Sequence, residues 1–155
     1  MSTNDTVTER YELASPEFVD AFREYMQGRF ADKDFDGVSF NYSWIGTGAP
    51  AHLCKEGSDI AGFHWRLRDG KCEIGQYPLP EDENDFYMKA PYDLLRILLD
   101  MDDATGAAYM ANEMQPLLDD GRIALVWKDD AMLPVIARYI IIADWRNGFF
   151  SQHIA

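Results

Sequence analysis

The stretch Gly37-Val38-Ser39-Phe40-Asn41-Tyr42-Ser43-Trp44 decides the fold class, because its apolar and polar side chains alternate strictly. Successive side chains of a β-strand point to opposite faces, so this period of two predicts a strand with one buried face. The apolar face is mostly aromatic. The other face carries Ser39, Asn41 and Ser43, which predicts a sheet with one side in contact with water.

Four further segments repeat this alternation and extend the sheet to five strands. The predicted strands cover residues 60–68, 71–77, 84–89 and 122–128. The second and third of the five strands are joined at Asp69-Gly70, a pair that favours the positive φ angles of a tight hairpin turn. The large side chains of each strand can all face the same interior.

Helical spacing alternates with these strands along the chain. Phe18, Phe22, Met26 and Phe30 form one apolar stripe, and Ser15 before Pro16 is a suitable N-cap. Further helices are predicted at about 91–99, at 104–118 and from 129 onward, with aspartate pairs at 102–103 and 129–130 as their caps. The last helix is predicted to run through Ile140–Ile142 to Trp145 and to end in an extended tail. This order predicts an α+β fold, a mainly antiparallel sheet with helices packed on one face.

Length, charge and cysteine content limit the function classes. The 155 residues predict one domain over 15–155, preceded by a polar arm over 1–14. A formal net charge of −13 argues against nucleic-acid binding and against anionic membranes, and it leaves a basic protein partner as an alternative. Cys54 and Cys72 form no paired framework, the N-terminus is polar, and the apolar run 139–143 is too short to span a bilayer. We therefore expect a cytoplasmic protein without stable membrane insertion.

Three quoted stretches, taken in order, resemble one known family. They are FHWRLRDGKCEIGQ, ENDFYMKAPYDLLRILLDM and PLLDDGRIALVWKDDAMLPVI, within residues 63–136. A strand, a D-G-K turn, a return strand, a strand leading into a "DLL" helix and a late G-R-I strand follow one another as in the sterol carrier protein 2 (SCP2) domain. The chain departs from the family at Trp127-Lys128-Asp129-Asp130, where members usually have Gly-Asp.

The resemblance implies a five-stranded sheet with helices on one face and an apolar tunnel between the two layers. It also implies binding and carriage of sterols, fatty acids or acyl thioesters, usually without chemistry. We expect no cofactor and no metal, since no catalytic set, ligand cluster or phosphate loop is apparent in the sequence. The ligand is expected to contact the large side chains that face the interior: Trp44, Phe63, Trp65, Phe86, Met88, Leu95, Met110, Met114, Trp127, Met132, Ile136 and Tyr139.

Three alternatives stay open at this point. The same rings and methionines are also what an ordinary core contains. A small enzyme could use a polar group in the cavity, such as Tyr109, Tyr139 or Asp144, for acid–base chemistry on a hydrophobic substrate. A protein-interaction scaffold with a collapsed tunnel is the third, and an interior filled by side chains would favour it. The sequence leaves ligand identity, catalytic residues and oligomeric state open.

Overall fold

The computed structural model describes residues 9–30, 39–68 and 71–155, apart from the side chains of Asp103 and Met110. A five-stranded sheet has the order β3-β2-β1-β4-β5. Its strands are β1 (Ser39–Thr47), β2 (Ala61–Arg68), β3 (Lys71–Gln76), β4 (Phe86–Pro91) and β5 (Ala124–Trp127). The β1–β4 pair is parallel and the other three pairs are antiparallel. The predicted mainly antiparallel α+β fold is confirmed, while the predicted turn at Asp69-Gly70 lies outside the described residues.

Six α-helices are described beside this sheet. They are α1 (Pro16–Phe30), α2 (Tyr92–Leu99), α3 (Asp103–Tyr109), α4 (Gln115–Asp119), α5 (Leu133–Ala143) and α6 (Ser151–His153). The predicted caps are confirmed: the Phe18 main-chain N–H donates to Ser15 Oγ (3.1 Å), and Thr105 N–H donates to Asp102 Oδ1 (2.8 Å). Asp129 accepts from the Ala131 N–H at 2.9 Å before a short 3₁₀ turn (Asp130–Met132).

The predicted helix over 104–118 is interrupted in the structure. A π-helical segment, Met110–Met114, separates α3 from α4. Pro116 lies in the next turn and has no N–H to donate to the carbonyl of the preceding turn, so regular α-helical bonding is lost there. The sequence predicts that Pro116 disturbs the last turn of this helix; the structure shows the disturbance, and it begins earlier, at Met110.

The crossover from β3 to β4, residues 77–85, covers part of the sheet face that the alternation assigned to water. Ser43 lies beneath it and is fully buried. The Ser43 hydroxyl donates to Asn84 Oδ1 (2.6 Å) and accepts from the Leu79 N–H (3.1 Å). Because Asn84 turns towards Ser43, the fourth strand begins at Phe86 instead of the predicted residue 84. Prediction of a wet face was therefore wrong at Ser43, because a connection between distant strands crosses it.

The predicted last helix is interrupted at Asp144 before it reaches Trp145, and the tail that follows is helical instead of extended. Asp144 adopts a left-handed conformation (φ 47°, ψ 41°) that ends α5. A π-helical segment, Arg146–Phe150, and α6 follow, and together we name residues 145–153 the C-terminal segment. Ile154 then forms a parallel β-bridge with Tyr11 of the N-terminal arm. In the described part of the chain, no helix combines the length and apolarity needed to cross a membrane.

Candidate ligand-binding site

The inner face of the sheet is a wall of aromatic rings. In β1 and β2, the side chains at alternate positions face the same way because the two strands pair in register, with Tyr42 opposite Trp65 and Trp44 opposite Phe63. The Trp44 and Phe63 rings stack with centroids 4.5 Å apart. Tyr42, Trp44, Phe63 and Trp65 are each at most 4% exposed. This wall is the surface that the sequence assigned to the ligand.

Helix α1 packs its apolar stripe against this wall. The ring of Phe22 lies edge-on to Trp44 with centroids 5.8 Å apart, and Phe18 lies edge-on to Phe63 at 5.1 Å. Edge-to-face packing of this kind is favourable, because the positive ring edge meets the negative ring face. The helix therefore closes one side of the predicted ligand space directly.

The C-terminal segment fills the rest of that space, and Trp145 lies at its centre. Its ring centroid is 4.9 Å from that of Trp44, 5.4 Å from Tyr42 and 5.4 Å from Trp65. The side chain is only 6% exposed. Trp145 thus occupies a place against the sheet that a flat apolar guest could take.

Two further rings of the segment complete the filling. Phe150 lies 5.0 Å from Phe22, and Phe149 lies 5.6 Å from Phe18, centroid to centroid. The alternation of the strands predicts none of these three residues. Their own spacing offers a signal: Trp145 and Phe149 are four residues apart, as on one face of a helix.

The described part of the chain shows packed rings where the family resemblance implies a tunnel. A surface depression beside Trp145 has a volume of about 190 Å³ and is lined by Ile140, Ile141, Asp144, Trp145 and Arg146. That volume lies below the roughly 300–1,000 Å³ of pockets that hold drug-sized ligands. The depression opens beside Trp145, so this tryptophan separates it from the aromatic wall.

The structure brings most of the predicted ligand residues into one core. Fully or nearly fully buried members of this core are Trp44, Phe63, Trp65, Met88, Leu95, Met114, Ile136 and Tyr139. Phe86 and Met132 pack against it while partly exposed. The side chain of Met110 lies outside what the structure describes. These residues share a core, and their contact with a ligand stays a prediction.

Trp127 does not join that core and is 40% exposed. The predicted face of the sheet is correct, because Trp127 pairs with Phe86 and the two rings stack with centroids 6.1 Å apart. It is exposed because β5 is a short edge strand, and its indole N–H is turned to the carboxylate of Asp130. The prediction that Trp127 faces a covered interior was therefore wrong.

The polar groups that the sequence offered for acid–base chemistry differ in burial. Burial raises the pKa of Tyr42 far above its ordinary value, so its hydroxyl stays protonated. Tyr139 is buried, whereas Tyr109 and Asp144 are partly exposed.

The Trp65 Nε1–H has no acceptor in hydrogen-bond geometry within the described residues. The weakly accepting thiol of Cys72 lies near it. Burial raises the pKa of this thiol to about 12, and the indole N–H of Trp65 acts in the opposite direction. Among residues 9–30, 39–68 and 71–155, no group of three potential ligands could hold a metal ion.

Comparison with known proteins identifies the fold. No family model matches the chain, and no curated protein sequence matches it. The crystal structure of a sterol carrier protein 2 is similar, with a TM-score of 0.53 at 17% identity, over 93% of this chain and 100% of that chain. The solution structure of a conserved hypothetical protein of Thermus thermophilus, described as a candidate sterol carrier protein, gives 0.51 at 15% identity, over 88% and 87%. The chain therefore has an SCP2-like fold, and at these identities the likeness concerns the fold alone.

Proposed function

We propose that this protein binds and carries a hydrophobic small molecule against the aromatic wall of its sheet, in the space that Trp145 occupies in the closed structure. The position of Trp145 carries the proposal, because one side chain fills the wall's centre and borders an open depression. The SCP2-like fold supports it. Sterol-like rings, fatty acids and acyl thioesters are the ligand classes that the sequence resemblance suggests.

Ligand entry then requires the C-terminal segment to move. Its hinge is Asp144, a non-glycine residue in the left-handed region, and such a conformation costs about 1–3 kcal/mol unless its surroundings hold it. The π-helical turn after it has poorer hydrogen bonding than an α-helix. Both features lower the energy needed to open this part of the chain.

The burial of Trp145 sets the energy that a ligand must replace. A tryptophan buries about 150–250 Å², which at about 25 cal/mol per Å² corresponds to about 4–6 kcal/mol. A ligand with a flat apolar surface regains that energy when it covers Tyr42, Trp44 and Trp65. An oxygen acceptor on the ligand could also satisfy the Trp65 Nε1–H.

The test compares Trp145→Ala with Trp127→Ala, the same substitution at an exposed tryptophan. Small apolar cavities of about 150 Å³ stay dry and bind compounds such as benzene, so we expect Trp145→Ala to bind added indole and to regain thermal stability from it. Dehydroergosterol and a dansyl-labelled fatty acid should bind both the natural protein and Trp145→Ala, and more tightly to the variant. Trp127→Ala should match the natural protein. Trp145→Leu serves if the alanine variant does not fold.

A protein-interaction scaffold is the second candidate, and the packed interior favours it. Under this alternative the acidic surface binds a basic partner and the interior only stabilises the fold. Native mass spectrometry of the protein as purified from cells separates the two candidates. A retained lipid supports carriage. The carrier proposal is wrong if neither the natural protein nor either Trp145 variant takes up indole or either fluorescent probe.

A further inference from the structure

A second pocket lies on the outer face of the sheet, on the opposite side from the aromatic wall. It has a volume of about 360 Å³ and lies between the β1–β2 loop and the crossover 77–85. Ile45 belongs to the outward positions of β1 and is 2% exposed, so it forms the floor. The apolar lining consists of Ile45, Ile60, Pro78, Leu79 and Pro80. The alternation in the sequence assigned this face to water, so the pocket was not predicted.

The crossover that forms one wall is held firmly in place. Tyr77 has a positive φ of 74°, although it is not glycine. The His64 Nδ1–H donates to the Tyr77 main-chain oxygen at 2.7 Å, and Ser43 and Asn84 fix the chain further along. Backbone conformations of this kind persist only where neighbouring groups enforce them, and they are concentrated at binding sites. The wall is therefore a built feature of the fold.

Gly62 brings this wall close to the sheet. A Cβ atom at Gly62 would collide with the Trp44 main-chain oxygen and would lie 3.2 Å from Pro78 Cδ. Pro78 can thus pack directly over the strand, which leaves the space beside it to the pocket. Glycine is therefore required at position 62 for steric reasons, and its lack of a side chain lets the crossover form the pocket wall close to the sheet.

The mouth of the pocket carries a lysine ammonium group over an aromatic ring. Lys55 Nζ lies 5.0 Å from the centroid of the Tyr77 ring. No carboxylate in the described part of the chain lies within ion-pair distance of it. The other lining charge, Glu81, is paired with Lys89 at 2.8 Å. In a protein of net charge −13, this is a local site that favours an anion.

We propose that this outer pocket binds a small apolar carboxylic acid, with its carboxylate on Lys55 and an aromatic or branched body between Ile45 and Leu79. The volume lies near the lower end of the roughly 300–1,000 Å³ typical of ligand pockets. A compact acid therefore fits, whereas a long-chain lipid does not. The proposal is independent of carriage in the interior, because the sheet separates the two sites.

The experiment uses two probes of the same shape, 2-naphthoate and the uncharged 2-naphthamide. Each is titrated into methyl-labelled protein and followed by NMR. We expect 2-naphthoate to shift the methyl signals of Ile45, Ile60 and Leu79 and to leave those of Ile136 unchanged. Lys55→Met should weaken 2-naphthoate binding about fivefold, the scale of an exposed ion pair. It should leave 2-naphthamide binding unchanged.

Lys71→Met is the matched control, because it removes the same charge from an exposed lysine on β3 outside the pocket lining. It should bind both probes as the natural protein does. Shifts confined to Ile136 would place the acid in the interior and overturn the proposal. Equal weakening of 2-naphthoate by Lys55→Met and Lys71→Met would show only a general charge effect, and it would overturn the proposal as well.

Discussion

The Tyr25 hydroxyl lies 3.1 Å from the main-chain oxygen of Asp144, and it shares its proton with the Ala143 oxygen at 3.0 Å. This contact ties α1 to the hinge that precedes Trp145. Arg29 of the same helix donates to the Ile142 oxygen at 3.1 Å. Helix α1 thereby satisfies carbonyl groups that the end of α5 leaves without helical partners. These bonds join α1 to residues 142–144, directly before the C-terminal segment.

Tyr25→Phe should loosen that segment while keeping the ring that packs on Phe149 at 5.5 Å. A hydrogen bond of this type contributes about 0.5–1.5 kcal/mol, so we expect unfolding free energy to fall by about 1 kcal/mol. Hydrogen exchange at residues 145–153 should become faster than in the natural protein. Tyr87→Phe is the control, since Tyr87 lies on the outer face. Unchanged exchange in Tyr25→Phe would show that its hydroxyl does not hold the hinge.

Gly148 tests the same contact from the other side. A Cβ atom at this position would collide with the Tyr25 hydroxyl oxygen. Gly148→Ala should therefore destabilise the protein by about 1–3 kcal/mol, the usual cost of overpacking, although alanine favours helix. In the Tyr25→Phe background the colliding oxygen is absent and the cost should fall by about 1 kcal/mol. Urea unfolding of the four proteins gives this coupling, and additive effects would contradict it.

Ser43 holds the crossover that forms the wall of the outer pocket. Ser43→Ala leaves the buried Asn84 Oδ1 and the Leu79 N–H without this partner. An unsatisfied buried group costs about 1–3 kcal/mol, so we expect a loss of about 2 kcal/mol. Ser39→Ala changes an exposed serine of the same strand and should cost less than about 0.5 kcal/mol. Equal stability of the two variants in urea unfolding would contradict the assigned role of Ser43.

Local alternation was sufficient to predict the strands and the orientation of their large side chains. Trp44, Phe63 and Trp65 face inward as their parity requires, and the five strands occur in the predicted sequence order. Helix caps were equally predictable, since Ser15 and Asp102 each accept from the N–H three residues further along the chain. These features depend on neighbours in the chain.

Long-range arrangement explains where prediction was wrong. Whether Trp127 is covered depends on which strand lies at the sheet edge, and Ser43 is buried because residues 77–85 cross over it. Trp145 enters the interior because a left-handed Asp144 redirects the chain after α5. The spacing of Trp145 and Phe149 indicates one face of a helix. Periodicity does not predict that this face enters the interior, that Trp127 is exposed or that Ser43 is covered. The entry of Trp145 and the crossover above Ser43 shape the two candidate sites, so each site became visible only in the folded chain.

His64 gives a prediction about pH, because it supports the strained Tyr77. Burial is the main cause that lowers the pKa of His64 below 6.5, and Arg66 and Arg23 act in the same direction, while the Tyr77 carbonyl and Glu73 oppose it. The unfolded chain therefore binds a proton on this side chain at a higher pH than the folded protein does. Stability from neutral His64 is complete above about pH 6.5 and is lost as the pH falls below that value.

We expect the unfolding free energy of the natural protein to fall more steeply between about pH 7.5 and about pH 5.5 than that of His64→Gln. Glutamine cannot titrate, but its amide can still donate to the Tyr77 oxygen. Both proteins share every carboxylate, so the difference between their urea-unfolding profiles isolates His64. Parallel profiles would mean that His64 has the same proton affinity in the folded and unfolded chains. A steeper profile for the natural protein would show that burying the charged imidazolium of His64 costs folding free energy.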